Sequence, residues 1–388
     1  MEQTRQTPLP SIAALLGFMT RFLEVHECNQ RAEVVWVARL KNERRAIERV
    51  IAALPTLNSA ELKLCRPPDS AGLRALISLF RLGPRRIMSL ARRLHRKHEF
   101  FKVLRTLELV GYYARYLSLF RNGHYNLAVM SSHSNPHGIA FNLAARRCGL
   151  PVVLITHGMP VRPVARLQYD LAAVHCEAAR RTYIEEGCSL EVVFLQGRKQ
   201  DHRAMIAKLP ERLTVGIFLC KDVNEELLRT LVTQLIESPR ISQVLLRPHP
   251  KNLWRGLDAW IDSRNDPRLS RSLGGPIFED LETVDIVLGG NSSVLIDAVI
   301  FGRPAAYVPR LDYGAHDMHR LVQSGLICSI EEKRSGGEFD FDPDDMLRFY
   351  QRPGWPAVLQ LFANIEQDEA TVLARIANEM RSLASPHI

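Results

Sequence analysis

One segment near the carboxyl end constrains the fold of this 388-residue chain more than any other. Residues 284–288 (VDIVL) form an apolar, β-rich run, Gly289 and Gly290 predict a turn, and Asn291 is placed to cap a helix. That helix carries apolar residues to bury and ends at Gly302, and residues 305–308 predict another strand. The order strand, turn, helix, strand is typical of a parallel sheet covered by helices.

The same alternation of short apolar runs and helices extends through both halves of the chain. It predicts further strands at residues 33–40, 61–65, 127–131, 152–156, 171–174, 192–195, 214–219 and 244–246. The chain is too long for one compact core, so we predict two domains, residues 1–207 and 208–388. The predicted fold class is α/β, with two Rossmann-like doubly wound domains facing a cleft. A final helix over residues 355–383 is expected to pack back on the first domain.

Composition bounds the class of protein. The chain is 46% hydrophobic, and its seven cysteines are scattered, which favours a reducing cytosol over a disulfide framework or a zinc site. No apolar run reaches the length of a membrane span. Residues 11–25 contain apolar positions at helical spacing, interrupted by Arg21, and predict an amphipathic helix rather than a signal peptide. The chain is therefore expected in the cytoplasm.

The positive charge is concentrated in one segment. Residues 74–121 contain twelve Lys or Arg against two Glu, whereas the whole chain has a net charge of +9. We interpret this segment as a basic helical insertion in the first domain. Basic residues that alternate with apolar ones suit an anionic membrane surface, and the candidate contacts are Arg92, Arg93, Arg96 and Lys97. Nucleic acid is a rival partner, and an ordinary solvated helix face is the third interpretation.

Two motifs of the second half predict a clamp for a nucleotide phosphate. Ser292 and Ser293 fall in the first turn of the predicted helix, where unpaired N–H groups and the helix dipole favour an anion. The motif RPHP places Arg247 and His249 directly after the strand at residues 244–246. Because the carboxyl ends of parallel strands share one edge of the sheet, both motifs can face one crevice.

The first half offers candidates for proton transfer. His157 follows a predicted strand and is succeeded by Gly158, and an imidazole with a pKa near neutrality suits a general base. Glu177 lies beyond the next strand and is a rival base. His133 and His137, in the loop SSHSNPHG, are candidates for acceptor contact. The triplet Asp340-Phe341-Asp342 imitates a metal-binding DxD, but its position before Pro343 predicts a helix cap, so no metal is expected.

The motifs HG (157–158), RPHP (247–250) and NSSVLIDAVIFGRP (291–304) resemble those of GT-B glycosyltransferases that build bacterial capsule and lipopolysaccharide. The related CDP-glycerol and CDP-ribitol phosphotransferases look similar, and the resemblance covers about residues 125–315. It implies a base at His157 and phosphate contacts from Arg247, His249, Ser292 and Ser293, commonly to a cytidine nucleotide. It also implies an acidic residue, Asp297, that faces the nucleotide or ribose. Gly290 and Asn291 stand where the phosphotransferases carry an aspartate and an aromatic residue, which resembles the polysialyl- and Kdo-transferase branches.

These observations predict a metal-independent glycosyltransferase that moves a sugar from a nucleotide-sugar, with no further cofactor, to a surface polysaccharide or lipid-linked acceptor. An alditol-phosphate transferase and a nucleotide-sugar epimerase are alternatives with the same fold. A module that binds nucleic acid or anionic lipid through the basic segment is the alternative without catalysis. Binding to duplex DNA that collapses with modest salt, without nucleotide affinity, would favour that alternative.

Overall fold

The structure is a computed structural model that describes residues 25–27, 32–65, 100–196, 202–251, 254–314, 316–332, 338–363 and 368–385. The predicted helix at residues 11–25 lies almost wholly outside the described residues. The candidate membrane contacts lie outside them too: Arg92, Arg93, Arg96 and Lys97.

The first half of the chain builds a six-stranded parallel sheet, called here the first sheet, in the order β3-β2-β5-β6-β7-β8. A separate antiparallel pair joins β1 to β4. In chain order the elements are β1 (Val25–Glu27), β2 (Val34–Val37), α1 (Lys41–Ile51), β3 (Ser59–Glu61), β4 (Lys63–Cys65), α2 (Phe100–Asn122), β5 (Leu127–Met130), α3 (Pro136–Arg147), β6 (Val152–Ile155), β7 (Gln168–Val174), α4 (Glu177–Glu185) and β8 (Ser189–Leu195).

The second half builds another six-stranded parallel sheet, the second sheet, in the order β11-β10-β9-β12-β13-β14. Its elements and those that follow it are β9 (Leu213–Phe218), α5 (Glu225–Glu237), β10 (Ile241–Arg247), α6 (Leu257–Arg264), β11 (Leu269–Arg271), α7 (Ile277–Thr283), β12 (Ile286–Gly289), α8 (Val294–Ile300), β13 (Ala305–Tyr307), β14 (Cys328–Ser329), α9 (Pro343–Gln351), α10 (Trp355–Phe362) and α11 (Glu369–Ala384).

The central strands of both sheets are buried on both faces. Every residue of β5, β6 and β12 is buried, as expected for parallel strands covered by helices on each side. This explains why the strands read as continuous apolar runs rather than as alternating patterns. The predicted α/β class with two doubly wound sheets is confirmed.

The helix α11 lies on the first sheet, although it follows the second sheet in the chain. Its buried residues recur at helical spacing and join one core cluster with β2, β5 and β6: Val372, Ile376, Ala377, Met380 and Ala384. The single helix predicted over residues 355–383 is wrong, because two helices, α10 and α11, occupy that range. Asp368 starts the second one by accepting the backbone N–H of Thr371 at 2.8 Å.

Part of the predicted basic insertion is visible as α2. Its aromatic residues pack on α3, with the Tyr116 and Phe141 ring centroids 5.3 Å apart and those of Phe120 and Phe141 also 5.3 Å apart. The apolar face of α2 therefore contributes to the core of the first domain. Among the helices that the structure describes, none combines the length and the apolar character needed to cross a bilayer.

Candidate functional site

The loops that follow β9, β10 and β12 meet at the carboxyl edge of the second sheet. Strand β9 is hydrogen-bonded to β10 on one side and to β12 on the other, and the chain reverses its direction of winding between β9 and β12. Doubly wound sheets bind their ligands at such a switch point. The RPHP motif follows β10 and the Gly290-Asn291 segment follows β12, so the structure brings the two predicted motifs to the same edge, on the two strands that flank β9.

His249 is held as a neutral hydrogen-bond donor. Its Nδ1 accepts the backbone N–H of Lys251 at 3.0 Å, which leaves the proton of the neutral ring on Nε2. Partial desolvation lowers the pKa of His249, which remains exposed at the edge of the sheet, and the nearby charges of Lys251 and Lys221 lower that pKa further. At neutral pH the ring thus presents an Nε2–H donor within the electrostatic influence of Lys221 and Lys251, an arrangement suited to a phosphate oxygen.

Lys221 was missed by the sequence analysis. It is exposed at the carboxyl end of β9, the strand that borders the switch point. The sequence could have indicated Lys221, because it follows a predicted strand, as His249 and His157 do.

Arg247 faces a different partner from the one expected. Its guanidinium forms an ion pair with Asp280 and donates to the backbone oxygen of Gly275 at 2.6 Å. The Arg247 side chain is only 16% exposed. Its charge is balanced by Asp280 and secures the loop before α7, so this arrangement does not fit the expected contact with phosphate.

Asn291 joins two loops instead of capping a helix. Its backbone N–H and its Nδ2 donate to the carboxylate of Asp312 at 2.6 and 3.0 Å, and its Oδ1 accepts the N–H of Met318 at 2.8 Å. The prediction that Asn291 caps the following helix is wrong, because Asp312 and Met318 occupy its amide and Ser293 takes the N-cap position of α8.

Asp312 also explains the glycine before Asn291. A Cβ on Gly290 would lie 2.0 Å from Oδ2 of Asp312. Asp312 is itself buried. Burial raises the pKa of the Cys220 thiol beyond β9, the charge of Asp312 raises that pKa further, and the thiol therefore stays neutral. Asp312 was missed by the sequence analysis, although it lies shortly after a predicted strand, at the next carboxyl end of the sheet.

The serine pair lies at the start of α8. Ser292 Oγ accepts the N–H of Val294 at 3.4 Å, and the exposed Ser293 forms no side-chain cap. Asp297 follows within α8 and is half-buried. The serines thus lie beside Asn291 at the switch point, and Asp297 lies one turn farther along the helix.

His157 lies at the carboxyl edge of the first sheet, after β6. Its Nδ1 is 3.1 Å from Oγ of Ser131, which follows β5. Burial lowers the pKa of His157, and the buried Glu43 opposes that effect in part. The ring is therefore neutral at pH 7. In the tautomer that donates Nδ1–H to Ser131, the Nε2 lone pair can accept a proton. A Cβ on Gly158 would meet nothing within 4 Å, so the space beside His157 is open.

His133 and His137 are packing residues of the first domain. Nδ1 of His133 is 2.8 Å from the hydroxyl of Tyr183, and Nδ1 of His137 is 3.1 Å from that of Tyr116. The two histidines are only 8% and 3% exposed, and burial lowers the pKa of each to about 4. Contact with an acceptor, as the sequence predicted, does not fit this burial.

Glu177 is a weak candidate for a base. Its carboxylate accepts two hydrogen bonds from Arg180, at 2.7 and 2.8 Å, and one from Arg181 at 3.0 Å. The Arg180 hydrogen bonds, supported by Arg181, lower the pKa of Glu177. A carboxylate stabilised in this way accepts a proton poorly, and the geometry favours His157.

His175 extends the row of polar residues at this edge. The register pairs Ile155 of β6 with Ala173 of β7, which aligns His157 and His175 two residues farther along. The Nδ1 of His175 lies 3.4 Å from Oγ1 of Thr156. His175 was visible at the tip of a predicted strand but received no role from the sequence.

Metal ligands do not cluster in the part of the chain that the structure describes, where no three His, Cys, Asp or Glu side chains could hold an ion together. The DxD-like triplet is a helix start. Asp342 accepts the N–H groups of Asp344 and Asp345 at 2.8 and 3.2 Å and caps α9, which confirms the predicted cap.

Comparison with known proteins identifies the fold. No protein-family model matches the chain, and no curated protein matches its sequence. The calicheamicin glycosyltransferase CalG4 is 12% identical with a TM-score of 0.51, over 92% of this chain and 100% of that one. The lipopolysaccharide outer core galactosyltransferase WaaB in its apo form is 12% identical with a TM-score of 0.46, over 90% and 99%. MnaA of S. aureus with UDP is 12% identical with a TM-score of 0.48, over 90% and 96%.

The similarity to CalG4 shows the fold alone at this identity. The chain has the GT-B architecture of two Rossmann-like domains, as its sequence predicted.

Proposed function

We propose that the protein is a glycosyltransferase that moves a sugar from a nucleotide-sugar donor to a glycan or lipid-linked acceptor. The observation that carries the proposal is the cationic edge of the second sheet at its switch point. Lys221 follows β9, and Lys251 and the Nε2–H of His249 follow β10, at the edge where the serine pair follows β12. A nucleotide diphosphate is the class of ligand that this set of donors and charges suits.

The same groups would stabilise the departing nucleotide. When the bond to the sugar breaks, negative charge grows on the phosphate oxygen, and preorganised donors and cations lower the barrier by binding that charge. Because Lys221 and Lys251 supply positive charge in place, we expect turnover to survive removal of divalent metal.

His157 would be the general base for the acceptor hydroxyl. Its neutral ring, its support by Ser131 and the open space beside Gly158 support this role. A cytidine donor and a cell-surface polysaccharide acceptor belong to the proposal too, and the motif resemblance supports them.

Nucleotide binding is tested by thermal shift with CMP, CDP, UDP and GDP. A ligand that binds the native state at about 100 times its Kd adds roughly 2.7 kcal/mol to the free energy of unfolding, so at least one nucleotide should raise the Tm. His249→Ala should weaken that binding about tenfold or more, since a hydrogen bond to a charged group contributes roughly 1.5–3 kcal/mol. Arg240→Ala is the matched control, because its cation lies before β10 at the opposite edge and pairs with Asp344. No shift with any nucleotide, or equal binding by the folded His249→Ala variant, would reject the proposal.

The base is tested by turnover. His157→Ala should lower kcat by about two to four orders of magnitude, the usual contribution of a positioned base, with nucleotide affinity retained. Glu177→Ala should keep most of the turnover. The opposite ranking would transfer the role to Glu177.

We also propose that the protein acts at an anionic membrane surface facing the cytoplasm. The charge concentration at residues 74–121 supports this, and because the apolar face of α2 is buried, docking would fall to the residues before α2. Charge reversal at Arg92, Arg93, Arg96 and Lys97 should release the protein from phosphatidylserine-containing vesicles at low salt. Undiminished sedimentation of the reversed protein would contradict docking through this segment.

A further inference from the structure

A chain of polar contacts crosses the first domain from α11 to the backbone beside His157. Glu369, at the start of α11, pairs with Nη1 of Arg49 at 2.6 Å. Nη2 of Arg49 donates to Oε1 of Gln196, directly after β8, at 3.3 Å. Nε2 of Gln196 then donates to the backbone oxygens of Thr156 at 3.3 Å and Ala173 at 2.5 Å.

Gln196 joins the tips of β6 and β7 where their own pairing stops. The ladder between these strands ends at Ile155 and Ala173, followed by one bond from the Thr156 N–H to the Ala173 oxygen at 2.9 Å. The oxygen of Thr156 belongs to the peptide group that continues into His157. Gln196 is only 3% exposed, so water cannot readily replace its amide if that amide is removed.

We propose that Gln196, oriented by Arg49, is a positioning residue that fixes the His157 backbone at the end of β6. This inference rests on the proposed function, in which His157 is the general base. Proton transfer needs the base within hydrogen-bond reach of the acceptor hydroxyl, and a displacement of about 1 Å can cost roughly a hundredfold in rate.

The network also relates the base to the last helix. The helix α11 returns to the first sheet after the second sheet is complete, and its first turn supplies Glu369, the outer partner of Arg49. The packing of α11 on the first sheet thus helps to orient Gln196, and Gln196 in turn fixes the position of the last residues of β6. No residue pattern in the sequence marks this network, because its residues are spread along the chain from Arg49 to Glu369.

Loss of Gln196 should also change how His157 titrates. The groups that act on the His157 ring are Ser131 and His133 after β5 and Glu43 on α1. If the tip of β6 loosens, the ring gains water, and the burial that lowers its pKa becomes weaker. The pKa of His157 should then rise towards its ordinary value.

The main experiment compares Gln196→Met with Arg381→Met. Methionine keeps the side-chain length of Gln196 and removes its hydrogen bonds, so kcat should fall about 10- to 100-fold. Nucleotide affinity should stay within about twofold, because the donor groups lie on the second sheet. Arg381→Met is the matched control. Arg381 joins α11 to the turn after α1 by donating to the oxygen of Ala53 at 3.4 Å, and it does not contact Gln196, so kcat should not change.

Titration of the His157 imidazole by NMR gives a second readout that needs no substrate. In Gln196→Met its pKa should move upward, and in Arg381→Met it should stay at the wild-type value. Wild-type kcat and an unchanged titration in folded Gln196→Met would overturn the inference, as would an equal loss of kcat in both variants.

A less invasive variant covers the case in which Gln196→Met does not fold. Arg49 is 41% exposed, so Arg49→Met should cost little stability. It removes the ion pair with Glu369 and the hydrogen bond that orients Gln196, and kcat should fall about three- to tenfold. Wild-type kcat and titration in Arg49→Met would then overturn the inference. Failure of the proposed function would show separately, as a wild-type protein that binds no nucleotide while its His157 titration still responds to Gln196→Met.

Discussion

At the scale of single residues, the histidines of the first sheet differ in how their surroundings allow them to act. His157 is half-buried beside open space, with Ser131 on one ring nitrogen, whereas His133 and His137 are enclosed by tyrosines. The same side chain can therefore serve as a base at one strand end and as a core residue at its neighbour.

The first prediction at this scale concerns the pH dependence of turnover. A base must be unprotonated, so kcat/KM should fall on the acidic side as His157 gains a proton. Because burial lowers the pKa of His157, the acidic limb should lie below 6.5, its ordinary value. His249→Ala, on the other sheet, should leave the position of this limb unchanged. A limb at or above pH 6.5, or one that persists in the residual activity of His157→Gln, would contradict the assignment.

The second prediction concerns stability. The pKa of His137 is about 4 in the folded chain and 6.5 when exposed, so between these values the unfolded chain binds more protons. Its contribution to stability is complete above pH 6.5 and is lost as pH falls towards 4. Replacing it with Gln removes this titration, so the decline in unfolding free energy between pH 7 and 4 should be smaller by roughly 3 kcal/mol.

Urea denaturation at several pH values measures this difference. His124 is exposed two residues beyond α2, so His124→Gln is the matched control for the loss of a histidine from the surface. An identical decline in His137→Gln and in the wild type would show that His137 does not titrate as described.

For single residues, the sequence predicted the position of candidates but not their hydrogen-bond partners or their burial. His157 and His249 were found because their strands could be predicted and parallel strands end at one edge. The hydrogen bonds that decide their chemistry come from Ser131 and from a backbone turn, and the tyrosines that enclose His133 and His137 are distant in sequence. Burial by remote segments cannot be derived from local periodicity, so the acceptor role predicted for these two histidines did not fit.

At the scale of elements, the turn between β12 and α8 depends on Asp312. An alanine at position 290 would place its Cβ 2.0 Å from Oδ2 of Asp312, and the carboxylate would have to leave the N–H groups of Asn291. Loss of these bonds at a buried carboxylate should cost about 1–3 kcal/mol of stability and displace the serine pair. We expect Gly290→Ala to weaken nucleotide binding about tenfold, as measured by calorimetry.

Gly354→Ala is the control for this substitution. Its Cβ would meet nothing within 4 Å, at the start of α10, so both stability and nucleotide affinity should stay close to those of the wild type. Wild-type affinity in Gly290→Ala would show that the turn tolerates a side chain and that Asp312 does not fix the donor loop.

The sequence predicted the type of an element where its apolar run was long. It did not predict the ends of helices that begin at a polar capping residue. The segment SSHSNPHG was predicted as a loop, yet Asn135 accepts the N–H of Gly138 at 2.8 Å and Pro136 already begins α3. Asparagine followed by proline is a helix start that the periodicity does not show, because neither residue is apolar. The start of α11 was also missed because its capping residue, Asp368, is polar and does not appear in the apolar periodicity.

At the scale of the whole molecule, ion pairs between residues distant in sequence connect the two halves of the chain. Glu185 at the end of α4 pairs with Arg162, in the loop that carries His157, at 2.5 Å, and with Arg320 of the second half at 3.4 Å. Arg320 follows the loop that Asn291 holds through Met318. The two-domain fold could be predicted from the order of strands in the sequence. These contacts could not be predicted, because no local pattern indicates which distant residues will pair.

This pair leads to the last prediction. Arg320 and Glu185 are 43% and 54% exposed, so their attraction contributes at most about 1 kcal/mol and its loss should hardly change stability. Arg320→Glu replaces attraction by repulsion between the two halves of the proposed site, and kcat should fall roughly fivefold at low salt, with recovery at high salt as screening increases. Arg240→Glu is the matched control, because its pair with Asp344 has similar exposure, 39% and 51%, but stays within the second half. Equal kcat in the two variants at every salt concentration would mean that this ion pair does not position the domains for the reaction.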